Sequence, residues 1–202
     1  MLLSINAAHP EPRKIQRIVQ ILNDGGVIAY PTDTTYGLGC DLMNKQAIDR
    51  LYQIKGMSRD QALAFICPDL SDIAKYAVVE NTVYRVLKRF LPGPYTFILT
   101  ATREVPKMVQ TRQKTVGIRV PDHPIAIAIV RELGRPLIST TAGRHGAEPL
   151  VDPWEIDQEF NGLDLVIDGG DAGGTVTTTV VDLSQGDVRI VREGAGPVDE
   201  LA

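Results

Sequence analysis

The sequence predicts an α/β protein built on a mixed sheet. Three observations carry this. Stretches with helical apolar spacing alternate with short apolar runs along all 202 residues. The helical stretches open on proline, asparagine or aspartate, and several close on glycine. The chain finishes with two β-rich runs around Gln185-Gly186-Asp187, a hairpin that makes the sheet mixed.

Pro12 opens the first helix, Ile15, Ile18, Val19 and Leu22 share its face, and Gly25-Gly26 closes it. Residues 27–30 form a buried strand stopped by Pro31, since proline cannot donate to a sheet ladder. A hydroxyl-rich loop spans 31–39. Asn44 caps a second helix with Ala47, Ile48, Leu51 and Ile54 on its apolar side, ending at Lys55-Gly56. Residues 62–66 read as a strand. Asp69 or Ser71 caps a short helix through Tyr76, and another helix covers 81–90 before Pro92-Gly93-Pro94. Strands follow at 95–99 and 115–120, with 105–110 ambiguous between them. A helix runs from Pro124 to Leu133 and closes on Gly134. The strand 136–139 leads into Ser139-Thr140-Thr141. Asp152-Pro153 starts the last helix. Residues 163–167 form a strand, 168–174 a glycine-rich loop, and 177–183 with 188–191 the hairpin.

The length suits one domain spanning residues 1–202, and no repeat or linker interrupts it. Apolar residues make up 44% and charged residues 23%, as in folded globular proteins. The formal charge of -4 argues against a wholly basic nucleic-acid-binding surface, although a local basic groove is compatible with it. Cys40 and Cys67 lie far apart among apolar neighbours and read as reduced, partly buried thiols. Two cysteines do not make a structural zinc site. No secretory signal, membrane-length apolar stretch or glycosylation sequon occurs, so a cytoplasmic location is expected.

No phosphate-binding P-loop, dinucleotide fingerprint or Gly-x-Ser-x-Gly elbow is present. His9, His123 and His145 have no partners at metal-ligand spacing, and His123 falls at a helix start. What remains is hydroxyls and cations at element ends. Pro31-Thr32-Asp33-Thr34-Thr35-Tyr36-Gly37-Leu38-Gly39 sets four hydroxyls and a carboxylate behind a buried strand, where open α/β sheets bind small ligands. An ordinary polar loop is the alternative. Lys55, Arg59, Arg119 and Arg192 are the candidate cations. Arg119, inside an apolar strand, either faces solvent or pairs with an anion. Cations converging with hydroxyls would suit a polyphosphate or carboxylate, because charge-assisted bonds to such anions are strong.

The loop just quoted, together with Lys55-Gly56, Pro92-Gly93-Pro94-Tyr95-Thr96, Thr115-Val116-Gly117-Ile118-Arg119-Val120-Pro121, Ser139 and Thr179-Val180-Val181-Asp182, resembles the YrdC/YciO family, related to threonylcarbamoyl-AMP synthases. The resemblance covers about Asn6 to Val198 and is nearest to the YciO branch. It implies a twisted open sheet with helices on both faces and a concave, positively lined cavity. It also implies a reaction that makes threonylcarbamoyl-AMP from threonine, bicarbonate and ATP for tRNA adenosine modification. Carried over by position, Thr32, Arg119 and Thr178 face threonine. Lys55, Arg59, Thr115, Ser139, Thr141 and Arg192 face ATP, with Lys55 and Arg119 as the catalytic pair. Mg²⁺ is expected with ATP, without an identifiable protein ligand.

Three positions depart from the family pattern. Met57 stands in place of an arginine, Ile66 of a histidine and Thr141 of an asparagine. Each lost contact to a charged group costs about 1.5–3 kcal/mol. Arg59 is the candidate to substitute for the missing arginine. Three functions follow: a synthase-type enzyme with full, reduced or altered activity; a tRNA- or double-stranded-RNA-binding module using the same cavity without chemistry; or a carbamoyl- or nucleotidyl-transferring enzyme with another acceptor.

Overall fold

The computed structural model describes residues 1–201. Its ten strands are β1 (Leu2–Ser4), β2 (Ile28–Tyr30), β3 (Gly37–Asp41), β4 (Ala64–Ile66), β5 (Tyr95–Thr100), β6 (Thr115–Arg119), β7 (Leu137–Thr141), β8 (Leu165–Asp168), β9 (Thr179–Asp182) and β10 (Arg189–Arg192). Six helices accompany them: α1 (Pro12–Asn23), α2 (Lys45–Lys55), α3 (Leu70–Tyr76), α4 (Asn81–Phe90), α5 (Pro124–Leu133) and α6 (Pro153–Glu159). All ten strands join one sheet in the order β1-β8-β2-β3-β7-β4-β6-β5-β9-β10. β1 with β8, β8 with β2, β4 with β6 and β5 with β9 run parallel, and the other neighbours run antiparallel.

Local chemistry sets the helix ends. Asn44 accepts the Ala47 amide at 2.9 Å to start α2, and Gly56 ends it at φ 69°. Asp69, rather than Ser71, caps α3 by accepting the Asp72 amide, and Asp152 caps α6 by accepting that of Trp154. Pro124 follows the N-cap His123 of α5, and Gly134 closes it at φ 72°, a left-handed conformation that glycine adopts without strain.

Two apolar layers enclose the sheet. Ile15, Ile18, Val19 and Leu22 of α1 and Ile125, Ala126, Ile129, Val130 and Leu133 of α5 cover Ile28, Leu137, Leu165 and Ile167 on one face. The other face carries α2, α3, α4 and α6 over Leu38, Phe65, Phe97, Ile118 and Val181. Each fully buried side chain of this size contributes about 1.5–3 kcal/mol. None of the helices formed by the described residues is long and apolar enough to cross a membrane.

Three sequence expectations change. Residues 37–41 are a strand, not loop. Residues 137–141 continue as strand through the second hydroxyl cluster. Leu2–Ser4 adds an unforeseen strand beside β8. The ambiguous 105–110 segment forms neither helix nor strand.

Candidate functional site

α1 and α5 cover only part of their face. Beyond them lies a hollow of about 210 Å³ on the face of the sheet, rather than at the strand ends where the sequence reading put a ligand. Strand alternation places Tyr30, Ala64, Ile66, Thr96, Arg119, Ser139, Thr141 and Val180 around it. Many of these side chains are small, and Gly117 lies between Ala64 and Ile98 in the ladder. The concavity follows directly from that composition.

Arg119 is its buried cation. Its Nη2 donates to Asp33 Oδ1 at 2.6 Å, Thr34 Oγ1 at 2.8 Å and Thr32 Oγ1 at 3.0 Å. Thr32 Oγ1 donates in turn to the Thr35 carbonyl, so the hydroxyl loop is wound around the guanidinium. Both alternatives left open for Arg119 thereby resolve: it points inward and pairs with an anion of its own chain. Its Nε is buried without a partner, as are Asp33 Oδ2 and His123 Nδ1. Burial pulls the His123 pKa down, against the pull of Asp33.

A second hollow of about 320 Å³ adjoins the first, and Ala62, Thr140, Thr141 and Arg192 line both. Lys55, at the end of α2, reaches across it. Its Nζ donates to the carbonyl of Thr141 at 2.7 Å and also to that of Gly143. Burial, then the neighbouring Arg144, hold its pKa down at about 8. Arg144 pairs with Glu159 and lies 4.7 Å over the Phe160 ring. Arg192, at the end of β10, donates to the Thr178 carbonyl at 2.9 Å, and burial lowers its pKa. Among the described residues, no carboxylate pairs with Lys55 or Arg192 and none lines either hollow.

Most of the expected site residues converge. Arg119, Ser139, Thr141, Thr178 and Arg192 line the first hollow, and Lys55, Thr141 and Arg192 the second. Thr178 Oγ1 lies 2.9 Å from Thr96 Oγ1. Thr32 sits behind the first hollow and steadies Arg119. Two residues are not brought there. Arg59 pairs with Asp49, lies 4.8 Å over the Tyr52 ring, and lines a third hollow of about 700 Å³ that meets the second at Gln61 and Ala62. It therefore does not take the position left by Met57. Thr115 bonds Thr111 at the far end of β6, about 13 Å from Arg119 at the strand rise. Of the departing positions, Met57 lines the second hollow, and Ile66 sits beside Arg119 in the ladder and walls the first. The sequence reading missed Tyr30 and Arg144. Tyr30 looked like strand interior, and Arg144 lies in a stretch without periodic signal.

Lys55 and Arg192, without a carboxylate partner among the described residues, stand with a buried arginine and a bank of hydroxyls around adjoining hollows on an open sheet face of an α/β protein. The chain belongs to the Sua5–YciO–YrdC family, described as telomere recombination, whose model matches residues 20–194. It is 42% identical over 197 residues to the protein YciO of Escherichia coli (strain K12), covering 96% of this chain and 95% of that one. The crystal structure of E. coli YciO superposes with a TM-score of 0.95 and 39% identity, covering 100% and 99% of the two chains. The threonylcarbamoyl-AMP synthase of Chromobacterium violaceum is 36% identical over 180 residues, covering 89% of this chain and 93% of that one. The crystal structure of Pyrococcus abyssi Sua5 complexed with L-threonine superposes with a TM-score of 0.92 at 27% identity, covering 99% of this chain and 59% of that one.

Proposed function

We propose that the protein is a nucleotide-binding enzyme of the threonylcarbamoyl-AMP synthase type, joining L-threonine, bicarbonate and ATP and releasing pyrophosphate. The observation that carries this reading is Arg192, which walls both hollows while neither it nor Lys55 has a carboxylate partner among the described residues. Cations that wall a hollow without carboxylate partners favour a polyanionic ligand. The smaller hollow suits an amino acid, being below the usual range of about 300–1,000 Å³ for larger ligands. The C. violaceum synthase and the threonine-bound Sua5 structure support the same reading.

The chemistry brings two anions together. The ammonium group of threonine gives up a proton to solvent, and the free amine then condenses with bicarbonate, losing water, to give a carbamate. A carbamate oxygen attacks the α-phosphorus, and the bond to the bridging oxygen of the β-phosphate breaks. Arg119 binds the amino-acid carboxylate, while Lys55 and Arg192 offset the charge gathering on pyrophosphate. Holding both reactants in adjoining hollows supplies proximity. The hollows offer no carboxylate set for Mg²⁺, and the described residues include no cluster of three metal-ligating side chains, so no step is assigned to a protein-held ion.

The test is pyrophosphate release from ATP, threonine and bicarbonate, with ATP binding followed by calorimetry. Release that requires all three supports the reading. Absence of both release and ATP binding removes it.

A further inference from the structure

Two cations sit at the carboxyl end of α2. Lys55 closes the helix and reaches the second hollow. An ammonium has three N–H donors. Two of them go to the carbonyls of Thr141 and Gly143, in the turn that leaves β7, and one is left for a ligand. A lysine stem is long and flexible, so the place of those carbonyls is what fixes the ammonium. Gly143 is buried and closely seated, since a Cβ on it would stand 3.0 Å from the Pro149 Cα. The next residue, Arg144, engages all three guanidinium nitrogens. Nη1 donates to the Ile54 carbonyl at 3.2 Å, Nη2 to the Glu159 carbonyl at 3.0 Å, and Nε to Glu159 Oε1 at 2.7 Å. The two carbonyls belong to the last turns of α2 and α6, where helix geometry leaves them without intrahelical donors and the dipoles favour a cation. Phe160 covers one face of the guanidinium. The Arg144 and Glu159 side chains are 44% and 45% exposed, so their ion pair contributes little and the two carbonyl bonds set the geometry. Arg144 thus ties the turn that holds Lys55 to the residue that precedes Lys55.

We infer that Arg144 is the positioning residue for Lys55: its fork fastens the turn after β7 to the ends of α2 and α6, and so holds the Lys55 ammonium, with one N–H uncommitted, at the second hollow. The inference rests on the nucleotide-binding reading proposed above, in which Lys55 meets the polyphosphate. Arg144 itself is assigned no ligand contact, because its three nitrogens and one of its faces are already engaged. A lysine held in place before the ligand arrives loses little rotamer freedom on binding, and that saving appears directly in affinity. The charged and titratable groups around Lys55 are Arg144 and His145 of the same turn and Arg192 of β10, with Glu159 of α6 behind Arg144. Replacing Arg144 leaves the other three in place.

Calorimetry on the full chain tests this, with a non-hydrolysable ATP analogue as the probe and L-threonine as the control. At pH 7, Arg144→Met should weaken the analogue about fivefold, and Arg144→Lys, which keeps the charge but loses the fork, should weaken it as much. Threonine binding should change by less than about twofold in both variants. In a Lys55→Met background, Arg144→Met should add less than about twofold, because the residue it acts through is gone. The pH at which analogue binding begins to weaken should rise in both variants, since an unfastened Lys55 returns toward solvent and keeps its proton to higher pH. Recovery of affinity and pH profile by Arg144→Lys makes Arg144 a neighbouring charge and overturns the inference. A loss that persists undiminished in the Lys55→Met background overturns it too. If the unsubstituted protein binds no analogue, the nucleotide reading falls and this inference with it. If it binds the analogue and Arg144→Met binds as tightly, only this inference falls. Should Arg144→Met fail to fold, Arg144→Lys and its own cycle with Lys55→Met decide.

Discussion

Removing Asp33 should destabilise the protein far more than removing an ordinary surface carboxylate. The Asp33 and Arg119 side chains are only 12% and 10% exposed, and their closest atoms are 2.6 Å apart. Unit charges about 4 Å apart attract by about 4 kcal/mol at an effective dielectric near 20. Truncating one partner of such a pair typically costs about 3–5 kcal/mol, because the other charge stays buried. Thr32 and Thr34 still accept from the guanidinium in Asp33→Ala, which offsets part of that loss. A loss of about 3 kcal/mol is expected, with a coupling energy of about 2–3 kcal/mol in a double-mutant cycle with Arg119→Ala. Urea denaturation should show it as a midpoint lowered by about 1 M, given a slope near 3 kcal/mol per molar for a chain of this size. A coupling energy below about 1 kcal/mol, the level of exposed pairs, would refute the buried-pair reasoning. Asp33→Asn should also lower threonine affinity, since Arg119 then loses the charge that orients it.

Gly37→Ala drives a methyl group into the Tyr30 hydroxyl and Ser139, and should cost about 1–3 kcal/mol in thermal or chemical denaturation. Lys55 titrates at about 8 in the fold against 10.5 in the unfolded chain, so between these values the unfolded chain holds more protons. Its burial penalty on stability is fully present below pH 8 and is relieved as pH rises toward 10.5. A bound polyanion raises that pKa, so ATP binding should take up a proton at pH 8.5 and weaken as pH climbs. Calorimetry in buffers of different ionisation enthalpy measures the uptake, and Lys55→Met should abolish it. Burial pushes the thiols of Cys40 and Cys67 well above their usual pKa, so both should resist a thiol reagent in the native protein and react in urea.

The helices were legible because their end signals are local. Asn44, Pro124, Asp152, Gly56 and Gly134 act on backbone groups within a few residues of themselves. β3 was not legible. Its glycines lower strand propensity, and the reason they are there is a tyrosine side chain crossing from another strand. The strand order was equally hidden, because pairings such as Leu2 with Val166 leave no local trace. In the site, the residues at element ends, Lys55, Arg119, Ser139 and Arg192, could be picked out as isolated polar groups next to apolar runs. Their convergence depends on a sheet face left bare by α1 and α5, which no single segment encodes. Arg59 misled because proximity in sequence to Lys55 said nothing about Asp49 and Tyr52, which hold it elsewhere.

The late pairing of β9 with β5 has a kinetic consequence. During synthesis, residues 95–100 emerge long before 179–182, and the β5 edge stays open until they arrive. Arg192 follows later still. Half-made chains therefore expose an unpaired strand edge and lack a cation that walls both hollows. Folding dominated by such distant pairings is slow. The two hollows acquire their shared Arg192 wall only when this last hairpin joins the sheet.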